Sequence, residues 1–196
     1  MSVHSLALIT PEQYLEAERK AEYKSEYYQG VVYAMAGGSF VHSVIIGNLV
    51  SELQRALKKQ RCFVCPQDLR LRVTPTGLYT YPDIQVVCGE PIFADDHKDM
   101  LTNPTLVVEV LSKSTEAHDR GFKFGQYRKI ESLQECFLVS QQEPRVERYL
   151  RQPGDQWLLT ESVGLDGLFR SESLACSIPL ADVYDKVEFA PETAPL

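Results

Sequence analysis

The sequence predicts a mixed α/β (α+β) fold, with helices flanking a central β-sheet and additional β-hairpins. Three observations lead there. One stretch repeats apolar residues every three to four positions, as a helix does, while another alternates at period two, as a half-buried strand does. The order along the chain is helix, strands, helix, strands, which suits one sheet covered by helices. The 196 residues fit a single domain spanning 1–196, and 44% hydrophobic content is enough for a core without staples. Only about residues 190–196, Ala-Pro-Glu-Thr-Ala-Pro-Leu, read as a loose tail.

The elements follow in order. Thr10-Pro11-Glu12-Gln13 starts a helix: Thr10 caps, Pro11 suits the first turn and Gln13 completes a capping box, with the helix running to about Tyr23. Residues 26–35 read as strand, turn at Gly30 and strand. Ser39 caps a second helix to about Lys59, with Ile45, Leu49, Leu53, Ala56 and Leu57 as its apolar stripe. Leu69, Leu71 and Val73 then alternate with Arg70 and Arg72 before a turn at Pro75-Thr-Gly77. Strands are expected at about 83–87 and 106–111, separated by a polar loop over 89–104, and a helix over about 116–130. Residues 135–140 and 145–150 form a hairpin pair, Pro153-Gly154-Asp155 turns into a strand near Trp157, and a short helix lies near 180–184.

Composition narrows the function classes. Twenty Lys and Arg against 27 Asp and Glu give a net charge of −7. A uniformly basic, phosphate-coating protein is therefore excluded, and any nucleic-acid role needs a local basic patch. The five cysteines, at 62, 65, 88, 136 and 176, do not resemble a secreted disulfide framework, and free thiols are expected. Cys62-Phe-Val-Cys65 lacks a second pair at zinc spacing. No apolar run reaches the roughly 20 residues of a membrane span and no signal peptide is visible, so a soluble cytoplasmic protein is expected. No Walker loop, GxGxxG or His-Glu-x-x-His motif occurs.

The informative segment is Leu106-Val-Val-Glu109-Val-Leu111. Glu109 interrupts a run that asks for full burial, and a buried carboxylate needs a cation, a metal or a proton. Asp83, after Tyr81-Pro82, stands at the mouth of another apolar run. Two acids on neighbouring strands suit a hard divalent cation, Mg²⁺ or Mn²⁺. Lys123 is the candidate for stabilising developing negative charge, with Asp119 four residues before it and Tyr127 four after on one helical face. Lys113 is the alternative lysine. A buried Glu109–Lys123 ion pair without metal remains open.

Several stretches occur in a recognisable order: Glu26-Tyr-Tyr-Gln-Gly30, Met35-Ala-Gly-Gly-Ser39, His42 with Asn48-Leu49, and Asp68-Leu-Arg-Leu-Arg-Val73. They continue with Tyr81-Pro82-Asp83, Glu109-Val-Leu-Ser112, Ser114-Thr115-Glu116, Asp119-Arg-Gly121, Lys123-Phe124 and Tyr127-Arg128. Over nearly its whole length the chain thereby resembles the Uma-type endonuclease family, abundant in cyanobacteria, of the PD-(D/E)XK restriction-endonuclease-like superfamily. The resemblance implies a four-stranded mixed central sheet flanked by helices and Mg²⁺-dependent hydrolysis of DNA phosphodiesters. It makes Asp83 and Glu109 metal ligands, with Glu109 also orienting water. Lys123 takes the catalytic lysine's role from the helix, because the usual strand position is Leu111. Glu26, His42, Asp68 and Tyr127 become candidates to line the site. Val31 stands where relatives often carry Glu, and Lys113 where they often carry Pro.

Arg70, Arg72, Lys113, Arg120 and Arg128 are candidate phosphate contacts. Trp157 and the tyrosines offer stacking surfaces or core packing. His97 lies in an acidic loop, Asp95-Asp-His-Lys-Asp99, expected to be solvated. DNA is the expected partner, and a homodimer suits the cutting of both strands of a duplex. Two other readings stand beside the nuclease: an inactive fold serving as a DNA-binding or protein-interaction module, and hydrolysis of a small phosphorylated compound.

Overall fold

The computed structural model describes residues 8–35, 37–113 and 115–189; the tail expected at about 190–196 lies outside them. Helix α1 (Pro11–Glu18) begins as its sequence dictates, with Thr10 Oγ1 accepting from Gln13 N–H and the Gln13 side chain accepting from Thr10 N–H. It stops short of Tyr23. The Glu18 carboxylate accepts from the Ser25 N–H at 2.8 Å and the Tyr81 hydroxyl at 2.9 Å, tying the helix end to the strand that follows. That strand, β1 (Ser25–Tyr28), pairs antiparallel with β2 (Val31–Ala34). The turn is Gln29-Gly30, both at positive φ (48° and 86°), the hand that matches strand twist in a two-residue hairpin. At Gly30 a Cβ would also stand 2.8 Å from Leu8 Cβ.

Helix α2 (Phe40–Leu57) is capped by Ser39 and buries Ile45, Ile46, Leu49, Leu53 and Leu57; Ala56, expected in the stripe, is exposed. Beyond it come β3 (Cys62–Pro66), β4 (Arg70–Val73), β5 (Leu78–Thr80), β6 (Ile84–Cys88), a short β7 (Met100–Leu101) and β8 (Leu106–Leu111). The single helix expected over 116–130 is broken into α3 (Glu116–His118), a π-helical turn (Asp119–Lys123) and α4 (Phe124–Tyr127). Gly121 and Gly125 weaken the regular helix there, and π-turns inserted into helices often mark functional sites. Strands β9 (Glu135–Ser140), β10 (Arg145–Gln152), β11 (Gln156–Val163), β12 (Leu168–Ser171) and β13 (Cys176–Pro179) follow, then α5 (Leu180–Val183).

The strands form three sheets, ordered β2-β1-β5-β4-β7, β11-β10-β9-β8-β6-β3 and β12-β13. The larger sheet is mixed, because β8 and β9 run parallel while its other pairs are antiparallel. It has six strands, where the resemblance implied four. All six residues of β8 are buried, so the strand is covered on both faces. Leu106, Val108 and Val110 face the α2 stripe with Val86 and Phe137. Val107 and Leu111 face Tyr127, Ile130, Leu133, Leu71 and Val73. Period two then puts Glu109 on this second face, beneath the π-turn and α4.

Two further features depart from the sequence reading. Cys62 and Cys88, expected as free thiols, form a disulfide between directly opposed residues of β3 and β6; Cys65, Cys136 and Cys176 are free. The β12–β13 hairpin was not legible in the period of its residues. It is held by buried Glu135, which accepts from the N–H groups of Glu172 and Ser173 (both 3.1 Å) and the hydroxyls of Ser171 and Ser173. Among the described residues no helix is long and apolar enough to cross a membrane.

Candidate active site

The site lies where the two larger sheets meet under the broken helix. Glu109, 3% exposed, accepts from the Tyr127 hydroxyl at 2.5 Å, and its Oε1 lies 3.3 Å from Lys123 Nζ. Its other oxygen lies 3.4 Å from the backbone N–H of Asp83, so the two acids share one site. Asp83 stands just before β6, where Oδ2 accepts from Val110 N–H at 2.8 Å and pairs with His42 Nε2 at 3.1 Å. Gln67 Nε2 approaches its Oδ1 at 3.5 Å.

Lys123 is the hub. Its ammonium is buried and lies 3.2 Å from Glu26, 3.3 Å from Glu109 and 3.5 Å from Asp119. Glu26, from β1, also accepts from the Thr80 hydroxyl, and lies 3.7 Å from His118 Nε2. Asp119 and Thr80 were not singled out as site residues. Asp119 was readable from its i,i+4 spacing to Lys123; Thr80 comes from a strand whose place only sheet pairing sets.

The electrostatics follow from this crowding. Burial, opposed by Lys123 and reinforced by the charges of Asp83 and Asp119, pushes the Glu109 carboxyl up to about 8. Burial also disfavours the Lys123 ammonium, but Glu109, Glu26, Asp119 and Asp83 together outweigh it and hold the lysine above its ordinary range. Burial raises Asp119 as well, against the pull of Lys123. One buried cation thus lies against three carboxylates, with Asp83 next to one of them, Glu109.

A hard divalent cation fits this donor set. The acids are oxygen donors in negative surplus, which is the donor type such a cation takes. Among the described residues no three His, Cys, Asp or Glu side chains form a ready cage. Protein ligation would therefore rest on one or two carboxylates, the mode in which Mg²⁺ keeps several waters. His42 is closely seated: a Cβ at Gly38 would stand 2.7 Å from its Nδ1.

The remaining expected residues stand apart. Asp68 is 90% exposed at its side chain and pairs with Lys24 at 2.5 Å. Arg70, expected to reach phosphate, is instead buried against Asp99 at 2.8 Å, because β4 is covered on that face too. Arg72 lies over the Tyr79 ring. Arg120 is held by Glu116 at 2.8 Å and by Glu147. Lys113 and Arg128 are exposed. Trp157 is packed against Phe124 and under Arg151.

The chain has known counterparts. The chain superposes on the crystal structure titled a "putative nuclease belonging to DUF820" from Anabaena variabilis ATCC 29413, with a TM-score of 0.74, 22% identity, and coverage of 90% of this chain and 97% of that one. The likeness shows that the two chains share a fold. "Uncharacterized protein sll1609" of Synechocystis sp. (strain ATCC 27184 / PCC 6803 / Kazusa) is 38% identical over 84% of this chain and 93% of its own length. "Uncharacterized protein slr1290" of the same strain is 36% identical over 92% and 94%. The model of the Uma2 family, described as "Putative restriction endonuclease", matches residues 11–181, and the chain belongs to that family.

Proposed function

We propose that the protein is a metal-dependent endonuclease acting on DNA. The observation that carries this reading is the single buried ammonium of Lys123 against Glu26, Glu109 and Asp119, with Asp83 joined to the cluster through Glu109. Such a surplus of buried negative charge is costly unless a cation or a proton offsets it. Asp83 and Glu109 would hold Mg²⁺ or Mn²⁺, which supplies an activated water and offsets charge on the phosphoryl group. The chain's own residues do the rest. Val110 N–H and His42 fix one oxygen of Asp83. Tyr127 fixes Glu109, and Lys123 sits where it can stabilise negative charge developing beside Glu109. A homodimer would place two such sites on opposite strands.

The other reading is a catalytically silent module that binds DNA or protein. It is favoured by the engagement of Arg70 and Arg120 in internal ion pairs on a chain of charge −7, which leaves fewer cations for phosphate. Calorimetric titration with Mg²⁺ and Mn²⁺, followed by plasmid nicking with wild type, Asp83→Ala and Glu109→Ala, separates the two. We expect metal binding and nicking by wild type only, and nicking that survives both substitutions removes this site. Absence of metal binding and of cleavage favours the module.

A further inference from the structure

Beside the carboxylates stands a column of rings that the chemistry above does not use. His118 and Phe122 are stacked, with centroids 5.0 Å apart at an interplanar angle of 28°. Tyr28 meets Phe122 edge-on, also at 5.0 Å. The His118 side chain is 47% exposed, and Tyr28 and Phe122 are only partly buried. The column is built from the same backbone as the site. Tyr28 follows Glu26 by two residues on β1 and so shares its face. Phe122 directly precedes Lys123, and His118 reaches Glu26 Oε2 at 3.7 Å.

We infer that this column is a stacking platform for a nucleobase next to the scissile phosphate, and that the preferred substrate is single-stranded or unpaired DNA. The inference rests on the nuclease reading for its choice of nucleic acid. Two physical arguments support it. Bases inside a duplex are already stacked on one another, so only an unpaired base can offer its face to a ring. Attraction to phosphate is also reduced on this chain, since two of the five candidate cations, Arg70 and Arg120, are tied to Asp99, Glu116 and Glu147. Stacking is neutral, tolerant of sequence and independent of such cations. It provides affinity that an acidic surface otherwise lacks, and gives binding a shallow dependence on salt.

The test is fluorescence anisotropy in Ca²⁺ with three labelled oligonucleotides of equal length: a thymine single strand, an abasic single strand of the same charge, and a duplex. We expect the thymine strand to bind at least tenfold more tightly than the abasic strand, and more tightly than the duplex. His118→Ala should weaken the thymine strand severalfold and leave the abasic strand unchanged. Because Phe122 also packs inward, Phe122→Leu is judged only after its circular dichroism matches wild type, while the comparison of strands on wild type needs no variant. Equal binding of thymine and abasic strands, a duplex bound as tightly as the single strand, or no binding of any of the three overturns the platform. Incubating the same oligonucleotides with Mn²⁺ distinguishes the two readings. Base-dependent binding without cleavage defeats the nuclease reading and leaves the platform standing. Cleavage with no preference for unpaired strands does the reverse.

Discussion

Lys123 shows how one residue sets the character of the site. Its ammonium lies within 3.5 Å of carboxylate oxygens on Glu26, Glu109 and Asp119, which arrive from a strand of each larger sheet and from the π-turn. Removing a buried charge while its partners stay buried costs about 3–5 kcal/mol. Lys123→Met should therefore lower the urea midpoint sharply, and adding Glu26→Gln should recover part of that loss, because the acid nearest the lost ammonium is then neutral. Strict additivity of the two substitutions in a double-mutant cycle would show that the two groups do not interact. Sequence spacing exposed Asp119, Lys123 and Tyr127 as neighbours. It said nothing of Thr80 or of the reach of Glu26, whose contacts with the hub cross from one sheet to the other.

At the scale of elements, the broken helix and the cross-strand bond are the informative cases. The segment 116–130 reads as one helix with Asp119, Lys123 and Tyr127 four residues apart, yet Gly121 and Gly125 allow a π-turn that keeps both Asp119 and Tyr127 close to the Glu109–Lys123 pair. The Cys62–Cys88 disulfide joins edge strand β3 to β6, the strand that Asp83 precedes. Closing a chain separation of 26 residues removes unfolded-state freedom worth roughly 3.5 kcal/mol. Thiol titration of denatured, unreduced protein should find three reactive cysteines, rising to five after reduction, and reduction should lower the thermal midpoint. Five thiols without reductant would exclude the bond. Cysteine spacing could not reveal it, because the pairing depends on the register of two strands that β4 and β5 separate in the chain.

For the molecule as a whole, Asp99 links parts distant in sequence. It accepts from Arg19 after α1 at 2.9 Å and from Arg70 of β4 at 2.8 Å. The hydrogen bond from Arg19, ahead of opposing burial and of the Arg70 charge, holds its carboxyl below the ordinary aspartate range. A carboxyl lowered on folding contributes stability that is fully present above its unfolded pKa of about 3.9 and lost as pH falls through the lower folded value. Urea midpoints measured from pH 7 down to pH 2 should thus fall on the acid side, and Asp99→Asn should be less stable at pH 7 with a flatter acid limb. An unchanged acid limb would remove Asp99 from that role. The loop containing it reads as a solvated acidic cluster in sequence; only the folded chain reveals that Arg19 and Arg70 converge on it.

The sequence alone determined what short-range physics controls. Thr10 and Ser39 start the helices where their side chains can satisfy free N–H groups, β8 occupies the apolar run over 106–111, and Glu109 is legible as an anomaly within it. Motif order placed Asp83, Glu109 and Lys123 among the site candidates. Tertiary structure decided which charges face each other. Arg70 and Arg120 look like free cations in one dimension, but sheet coverage and the packing of β10 give them internal acids instead. Glu135 looks like an ordinary strand residue until the β12–β13 hairpin folds its hydroxyls and N–H groups around it. The reason is common to all of these. Helix starts and burial runs depend on neighbours within a few residues, whereas the partner of a buried charge is set by strand register and layer packing, which join residues far apart in the chain.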